Sequence, residues 1–215
     1  MRESKGNMFE WVTHTWSPIV GECSHKCSYC YMRKFPQKPI HLKENVLAEN
    51  LGVKNVIFVC SGTDLFADDV PSLWIVRVLD ACKKYNSNTY LFQTKNPKRY
   101  LDFKEMFPKN TYFGVTIETN EEFNLDKSPT RKSRADYIRK LNSPNVVLTI
   151  EPIMQFELEP FVRMIREIKP LWVNIGADSQ GHNLPEPNRE KIIELVARLK
   201  EFTEIKKKVN LERLK

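Results

Sequence analysis

The sequence is poor in glycine and has no long apolar run. It has seven glycines in 215 residues, and no apolar run approaches the roughly 20 residues that a membrane span needs. The polar first residues, 1–5, lack the apolar core of a signal peptide. The 41% of hydrophobic residues supplies enough apolar surface to exclude a disordered chain. We therefore expect one soluble domain, residues 1–215, in the cytoplasm and without a membrane segment.

Cysteine is also scarce, and its number is odd. An odd count of five without an export signal argues against a disulfide scaffold and favours reduced thiols that bind metal or react. Three of the five, Cys23, Cys27 and Cys30, fall within eight residues. We expect these three to act together, in a loop over residues 21–31.

The net charge of +7 is moderate and unevenly distributed. Residues 131–140 hold five Lys and Arg against one Asp, and residues 189–215 hold nine Lys and Arg against five Glu. We expect a basic C-terminal helix and tail over about 188–215. A basic face attracts nucleic acid or another polyanion, and a solvated helix face is the alternative.

Short β-branched runs alternate with longer stretches of helical period, which is typical of parallel α/β folds. Six such units are fewer than the eight of a closed TIM barrel, so they predict a partial (β/α)6 TIM-type barrel, with a parallel sheet open on one side. A doubly wound sheet is the alternative. The predicted strands are Trp11–Trp16, Asn55–Cys60, Thr89–Lys95, Thr111–Glu118, Val146–Glu151 and Leu171–Gly176. The predicted helices are Lys43–Leu51, Pro71–Tyr85, Ser133–Leu141, Phe156–Ile168 and Asn188–Phe202, with Asn188 as an N-cap.

Four of the strands share a second pattern. Each has one apolar face, suited to a helix layer, and one face that turns polar toward the carboxyl end. The polar faces end in Gln93 and Lys95, Thr116 and Glu118, Thr149 and Glu151, and Asn174 and Gly176. Together they predict a polar cavity at the carboxyl edge of the sheet, where α/β folds bind ligands.

The cysteine spacing, Cys-x3-Cys-x2-Cys, is suited to one metal centre because thiolates bind zinc and iron–sulfur clusters. Structural zinc has four ligands, so a zinc site would need a fourth from His14, His25 or His41. Three cysteines without a fourth fit a [4Fe–4S] cluster with one open iron.

The cysteine motif, with Tyr29 before the last Cys, resembles that of the radical S-adenosylmethionine (SAM) superfamily. Further motifs resemble a small phage- and archaea-associated branch of unassigned function, related to spore photoproduct lyase-like proteins. These motifs are Thr15-Trp16-Ser17-Pro18, Cys60-Ser61-Gly62-Thr63-Asp64, Phe92-Gln93-Thr94-Lys95, Gly114-Val115-Thr116-Ile117-Glu118, Glu151-Pro152 and Asn174-Ile175-Gly176.

The resemblance implies an enzyme in which Cys23, Cys27 and Cys30 hold the cluster. SAM would bind the open iron and be cleaved reductively to a 5′-deoxyadenosyl radical that abstracts hydrogen from a substrate. An electron donor such as flavodoxin or ferredoxin would supply the electron. The remaining matched positions would contact SAM: Tyr29, Asn174 and Gly176 near adenine, Ser61, Gly62, Thr63 and Asp64 near the ammonium, Lys95 and Thr116 near the carboxylate or ribose, and Glu118 and Glu151 in the same site.

Cys60 is a candidate hydrogen donor by the same resemblance. It stands one residue before Ser61, the matching position, and on a strand it would face the opposite side. Packing in the core as a small residue is the alternative for Cys60, and we expect it for Cys82.

The leading hypothesis is therefore a radical SAM enzyme whose substrate is a nucleic acid that it modifies or repairs. The alternatives are a radical SAM enzyme for a small molecule or peptide, an Fe–S protein serving as a partner subunit, and a zinc-stabilised nucleic-acid-binding module.

Overall fold

The computed structural model describes residues 1–5 and 8–214. Lys215, the last residue of the predicted basic tail, lies outside the described residues. The strands are β1 (Arg2–Glu3), β2 (His14–Trp16), β3 (Ile19–Val20), β4 (His41–Leu42), β5 (Val56–Val59), β6 (Thr89–Thr94), β7 (Thr111–Thr116), β8 (Val146–Ile150), β9 (Trp172–Ile175) and β10 (Glu204–Lys207). The helices are α1 (Glu44–Leu47), α2 (Ser72–Lys84), α3 (Lys98–Asp102), α4 (Arg131–Leu141), α5 (Leu158–Ile168) and α6 (Arg189–Lys200), with short 3₁₀ segments at Tyr31–Lys34, Lys104–Met106 and Val209–Leu214.

The main sheet has eight strands in the order β1-β2-β5-β6-β7-β8-β9-β10. All neighbours pair in parallel except β1, which is antiparallel to β2. The sheet does not close on itself. The open, parallel α/β architecture predicted from six strand–helix units is therefore confirmed.

The six predicted strands all form, β2 over half of its predicted length and the others one or two residues shorter than predicted. Strand β10 was not predicted. Its sequence, Glu-Ile-Lys-Lys, has three charged residues in four and no buried residue. It pairs only with β9, so its side chains stay at an edge, where charge is tolerated. The predicted basic tail is thus in part an edge strand.

The helix predictions hold for α2, α4, α5 and α6, and Asn188 caps α6 by accepting a hydrogen bond from the Lys191 amide at 3.0 Å. Helix α1 covers only residues 44–47 of the predicted Lys43–Leu51. Helix α3 was missed because its five residues are too few to show a helical period. Within the described ranges, no helix is both long and apolar enough to cross a membrane.

The two faces of the sheet have separate cores. The outer face packs against the helices in one large apolar cluster, which includes Tyr90, Phe92 and Val115. On the inner face, residues 8–12 cover the amino ends of the strands: Phe9 packs with Phe58 and Leu91, and the ring of Trp11 lies 5.0 Å from that of Trp172. An apolar plug thus closes one end of the inner face and leaves the polar groups at the other end.

Candidate active site

The three clustered cysteines line a single cavity of about 340 Å³, together with Gly62 and Met32. Cys27 is buried, and Cys23 and Cys30 are half-buried. Two tight turns present them, since the Lys26 amide donates to the Cys23 carbonyl and the Cys30 amide to the Cys27 carbonyl, each at 3.2 Å. The three thiols therefore border one cavity, and their role as metal ligands stays a prediction.

The cysteine loop begins at Gly21, a position that requires glycine. Its φ is +115°, and a Cβ there would lie 2.6 Å from the Pro39 carbonyl oxygen. The Thr63 hydroxyl donates to the Gly21 carbonyl at 2.8 Å, which joins the start of the loop to the segment after β5. The Ser28 amide also donates to the Leu125 carbonyl at 2.8 Å. The loop is thus held on two sides by elements distant in sequence.

Asp64 is the hub of the segment that follows β5. Its carboxylate accepts from His25 Nε2 at 2.8 Å, from the Thr94 hydroxyl at 2.9 Å and from the Lys95 amide at 2.8 Å. Burial would raise the pKa of Asp64, but His25 and these hydrogen bonds lower it. The resemblance places Asp64 near a SAM ammonium, whereas the structure gives its oxygens partners inside the protein.

The other residues of this segment are Ser61, Gly62 and Thr63, and they differ in whether they line the cavity or contact the protein. Gly62 lines the cavity, and a Cβ there would meet Met32 at an ordinary 3.5 Å. The Ser61 carbonyl accepts from the Tyr31 hydroxyl at 3.2 Å, and Thr63 is buried. Of the four residues from Ser61 to Asp64, Gly62 is the one that borders the cavity.

A buried ionic cluster lies beside the cysteine loop, at the carboxyl ends of β6 and β7. Its centre is Glu118, whose side chain is 0% exposed and pairs with Lys95 and Arg134. Arg134 reaches Glu118 Oε2 at 3.0 Å, and Arg131 approaches the same oxygen at 3.5 Å. The Tyr29 hydroxyl donates to Glu118 Oε1 at 2.8 Å. The cluster therefore ties the cysteine loop to two strand ends and to α4.

Asp126 is the second carboxylate of this cluster. It accepts from Arg131 at 2.9 Å and from Arg134 at 3.3 Å, and its side chain is 1% exposed. Asp126, Arg131 and Arg134 were missed as site residues because ionic partners carry no local pattern. One signal existed: Arg131, Arg134, Ala135 and Ile138 share the buried face of α4, so two arginines lie where apolar residues are usual.

The electrostatics of the cluster keep its groups charged. Burial would raise the pKa of Glu118, but Lys95, Arg134 and Arg131 hold it well below its usual range. Burial would lower the pKa of Lys95, but Glu118 and Cys27 raise it. Burial, followed by the Glu118 charge, raises the pKa of Tyr29 well above its usual value, so the phenol stays protonated.

Lys95 connects this cluster to the cysteines. Its ammonium contacts Glu118 and the Tyr29 hydroxyl and lies 3.3 Å from Cys27 Sγ. The resemblance implies that Lys95 contacts a SAM carboxylate. In the structure its ammonium contacts Cys27, Tyr29 and Glu118. Three predicted site residues, Tyr29, Lys95 and Glu118, are thus brought together with one predicted metal ligand.

Closer to the amino ends of the strands than the ionic cluster, polar side chains from β6 to β9 form a row on the inner face of the sheet. Gln93 donates to the Thr116 hydroxyl at 3.1 Å, Thr149 donates to Gln93 at 3.2 Å, and Asn174 donates to Thr149 at 3.3 Å. The predicted alignment of polar groups from β6 to β9 is therefore realised as a chain of hydrogen bonds.

Glu151 and Gly176 meet at the carboxyl ends of β8 and β9. Glu151 accepts from Lys208 at 2.7 Å and from Asn210 at 2.9 Å. A Cβ on Gly176 would lie 2.8 Å from the Glu151 carboxyl, so Glu151 would have to shift away from the partners that hold it. The segment after β10 covers this end of the sheet and supplies partners that sequence reasoning missed.

Cys60 lies in the main core and not at the cavity. It is 4% exposed, packed in the apolar cluster that also contains Cys82, and burial raises its pKa to about 12. Its φ of +56° breaks the strand alternation at this point. Of the two alternatives, the structure matches packing, and it does not place Cys60 as a hydrogen donor lining the cavity.

None of the three histidines considered as a fourth zinc ligand lines the cysteine cavity, where the carboxylate of Glu22 is another candidate ligand. His25 pairs with Asp64, His14 with the Thr13 hydroxyl and His41 with the Pro39 carbonyl, and none of them lines the cysteine cavity. In the described part of the chain, no three His, Cys, Asp or Glu side chains converge closely enough to hold a single ion. Three thiols around a larger cavity suit a multi-iron cluster, in which each thiolate binds a different iron.

The basic segment 131–140 is less exposed than its sequence suggests. Arg131 and Arg134 are 3% and 0% exposed and are paired with carboxylates. Arg139 pairs with Asp136 and Glu167 on the surface. The expected basic face of this segment is therefore mostly neutralised within the protein.

Solved structures with a similar fold are known. A spore photoproduct lyase variant aligns with a TM-score of 0.64 at 13% identity, covering 94% of this chain and 66% of that one. Spore photoproduct lyase complexed with dinucleoside spore photoproduct aligns with a TM-score of 0.59 at 12% identity, covering 86% and 60%. Native anSMEcpe with bound AdoMet and a Cp18Cys peptide aligns with a TM-score of 0.57 at 12% identity, covering 89% and 62%. The likeness concerns the fold, and the chain spans less than two thirds of the length of these neighbours.

No curated protein matches the chain. A family model described as "Protein of unknown function (DUF5131)" matches residues 6–193.

Proposed function

Because the chain belongs to the DUF5131 family, whose function is unknown, we propose its activity from the site: it is a radical SAM enzyme with one [4Fe–4S] cluster. The observation that carries the proposal is that Cys23, Cys27 and Cys30 line one cavity beside the polar carboxyl ends of an open parallel sheet. The likeness of the fold to radical SAM enzymes supports it.

The residues present fit the cluster. Cys23, Cys27 and Cys30 supply three thiolates to the cavity, and because no fourth cysteine lines it, one iron is left for SAM. When bound, cluster and SAM together supply electron-driven cleavage of SAM and hydrogen abstraction from a substrate. An electron donor such as flavodoxin or ferredoxin is part of the proposal because that cleavage consumes an electron. We also propose a cytoplasmic location, since five free thiols and an oxygen-sensitive cluster suit a reducing compartment.

The protein's own groups bind, orient and exclude water. Gly62 leaves the cavity wall without a side chain. The hydrogen-bonded chain from Gln93 to Asn174 offers hydroxyl and amide groups to a ribose, and the plug around Phe9 closes the opposite end of the inner face. Glu151 is oriented by Lys208 and Asn210.

Anaerobic reconstitution with iron and sulfide tests this proposal. We expect a brown protein with about four irons per chain, which releases 5′-deoxyadenosine after addition of dithionite and SAM. Cys23→Ala, Cys27→Ala and Cys30→Ala should each lower the iron content. Cys60→Ala and Cys82→Ala, which alter buried thiols away from the cavity, are the matched controls. Stoichiometric zinc without iron, or full iron content in Cys30→Ala, would contradict the proposal.

For the substrate we propose a nucleic acid. Support comes from the rim of the cysteine cavity, where Tyr31 and Phe35 are 42% and 50% exposed beside exposed Arg33 and Lys34. Exposed aromatic rings stack with bases, and the cations attract phosphates. A related structure holds a dinucleoside spore photoproduct, and another holds a peptide.

Retention of the protein on a single-stranded DNA oligonucleotide tests the substrate. We expect binding that weakens steeply with salt, and a log–log salt slope reduced by roughly 1.4 in a double variant with Arg33→Glu and Lys34→Glu, at about 0.7 for each phosphate contact on a single strand. The double variant Lys83→Glu and Lys84→Glu, at the end of α2, is the control. Absence of binding at low salt would contradict a nucleic acid and favour a peptide or small molecule.

A further inference from the structure

The ammonium of Lys95 is fixed unusually well for a lysine at the end of a strand. Its main-chain amide donates to Asp64 at 2.8 Å. Its Nζ contacts Glu118 and the Tyr29 hydroxyl and lies 4.5 Å from the centre of the Tyr29 ring. Lysine side chains lose much rotamer freedom when held this way. The remaining neighbour in hydrogen-bond range is Cys27 Sγ at 3.3 Å.

The charges around Lys95 are unequally buried, because a third carboxylate of the network, Glu122, pairs with Arg131 at 3.0 Å but is 49% exposed. The inner cluster contains three cations, whose side chains are 13% exposed or less, and two carboxylates that are 1% exposed or less. These are Lys95, Arg131 and Arg134 against Glu118 and Asp126. Burying an excess charge is costly unless a counter-charge is close. The thiol of Cys27 is the neighbour that becomes an anion when it binds metal.

We propose that Lys95 is a positioning residue for the iron–sulfur centre: it donates a hydrogen bond to the sulfur of Cys27 and raises the reduction potential of the cluster. This inference rests on the proposed function. Hydrogen bonds and net charge around the sulfurs set the potential of such clusters. A nearby cation stabilises the reduced state more than the oxidised one, because the reduced state carries one more negative charge.

Glu118 and Tyr29 hold Lys95 at the required distance. Glu118 is paired at the same time with Arg134 and lies near Arg131, so it does not cancel the lysine charge alone. Tyr29 lies between two cluster ligands in the sequence, so its contacts fix the ammonium relative to the loop itself.

The test is an electron-paramagnetic-resonance redox titration of the reconstituted full chain without SAM. In Lys95→Met we expect the wild-type iron content and a more negative potential, with 59 mV for each tenfold loss in the ratio of reduced to oxidised cluster. Lys95→Arg, which keeps the charge, should lie between the two. Lys191→Met is the matched control, since Lys191 contacts Gln155 and lies 4.9 Å from the Phe156 ring.

The outcomes separate the inference from the proposed function. If the wild-type protein binds no iron, the proposed function fails. If iron is bound and the potential of Lys95→Met equals that of the wild type, the inference fails, even when SAM affinity falls, because that result assigns Lys95 to SAM alone. Should Lys95→Met not fold by circular dichroism, Lys95→Gln, which keeps a polar contact for Glu118, is titrated instead with the same two outcomes.

Discussion

The buried carboxylate of Glu118 is expected to contribute strongly to stability. It is 0% exposed and contacts Lys95, Arg134 and Tyr29, with Arg131 at 3.5 Å. Glu118→Gln keeps the size of the side chain and removes its charge. The three cations then remain buried with Asp126 as their one carboxylate that is nearly inaccessible to solvent.

Removal of one partner from a buried ion pair costs roughly 3–5 kcal/mol. The lower value applies here, because Asp126 remains and glutamine still accepts hydrogen bonds. With a urea m-value of about 2 kcal/mol/M, a loss of about 3 kcal/mol lowers the unfolding midpoint by about 1.5 M.

Urea unfolding of the metal-free, reduced protein, followed by circular dichroism, measures this effect. The control is Glu159→Gln, which removes a carboxylate paired with Arg198 on the exposed face of α5, and its midpoint should hardly change because exposed pairs contribute little. The reasoning is refuted if the two variants unfold at the same urea concentration with unchanged m-values.

Three further predictions concern the pH dependence of the Glu118 contribution, the close contact at Gly176 and the cap of α6. Although burial alone would raise the pKa of Glu118, the adjacent cations lower it, so its contribution to stability is complete above about pH 5 and is lost progressively as the pH falls from there toward the depressed pKa. When the pH is lowered from about 6 to 3, the free energy of unfolding measured in urea titrations should therefore fall less in Glu118→Gln than in the wild type. Gly176→Ala would place a Cβ 2.8 Å from the Glu151 carboxyl and should lower the free energy of unfolding by about 1–3 kcal/mol, whereas Gly62→Ala, with 3.5 Å to its nearest neighbour, should not; equal midpoints would contradict the packing argument. Asn188→Ala removes the cap of α6 and should cost about 1 kcal/mol in thermal unfolding, and an unchanged transition would show that the cap is not stabilising.

Local patterns in the sequence predicted much of the architecture. The alternation of side chains along β6 to β9 depends only on strand geometry, so it identified both the outer face with Phe92 and Val115 and the inner hydrogen-bonded chain from Gln93 to Asn174. The cysteine spacing likewise placed three thiols on one loop before any contact was known.

Contacts between distant residues could not be predicted in this way. From the sequence, Arg131 and Arg134 were expected on a basic surface, but folding brings them against Glu118 and Asp126. The family resemblance implied that Asp64 binds a ligand, whereas folding surrounds its carboxylate with hydrogen-bond donors from the protein.

The sequence by itself determined the six main parallel strands, the four longer helices and which thiols share one loop, because these follow from spacing along the chain. The tertiary structure decided which charges are buried and paired, and it placed Cys60 in the core and the ammonium of Lys95 against Cys27. The physical reason is that the free energy of a charged or polar side chain depends on partners from other elements, whose distance in space bears no fixed relation to their distance in sequence.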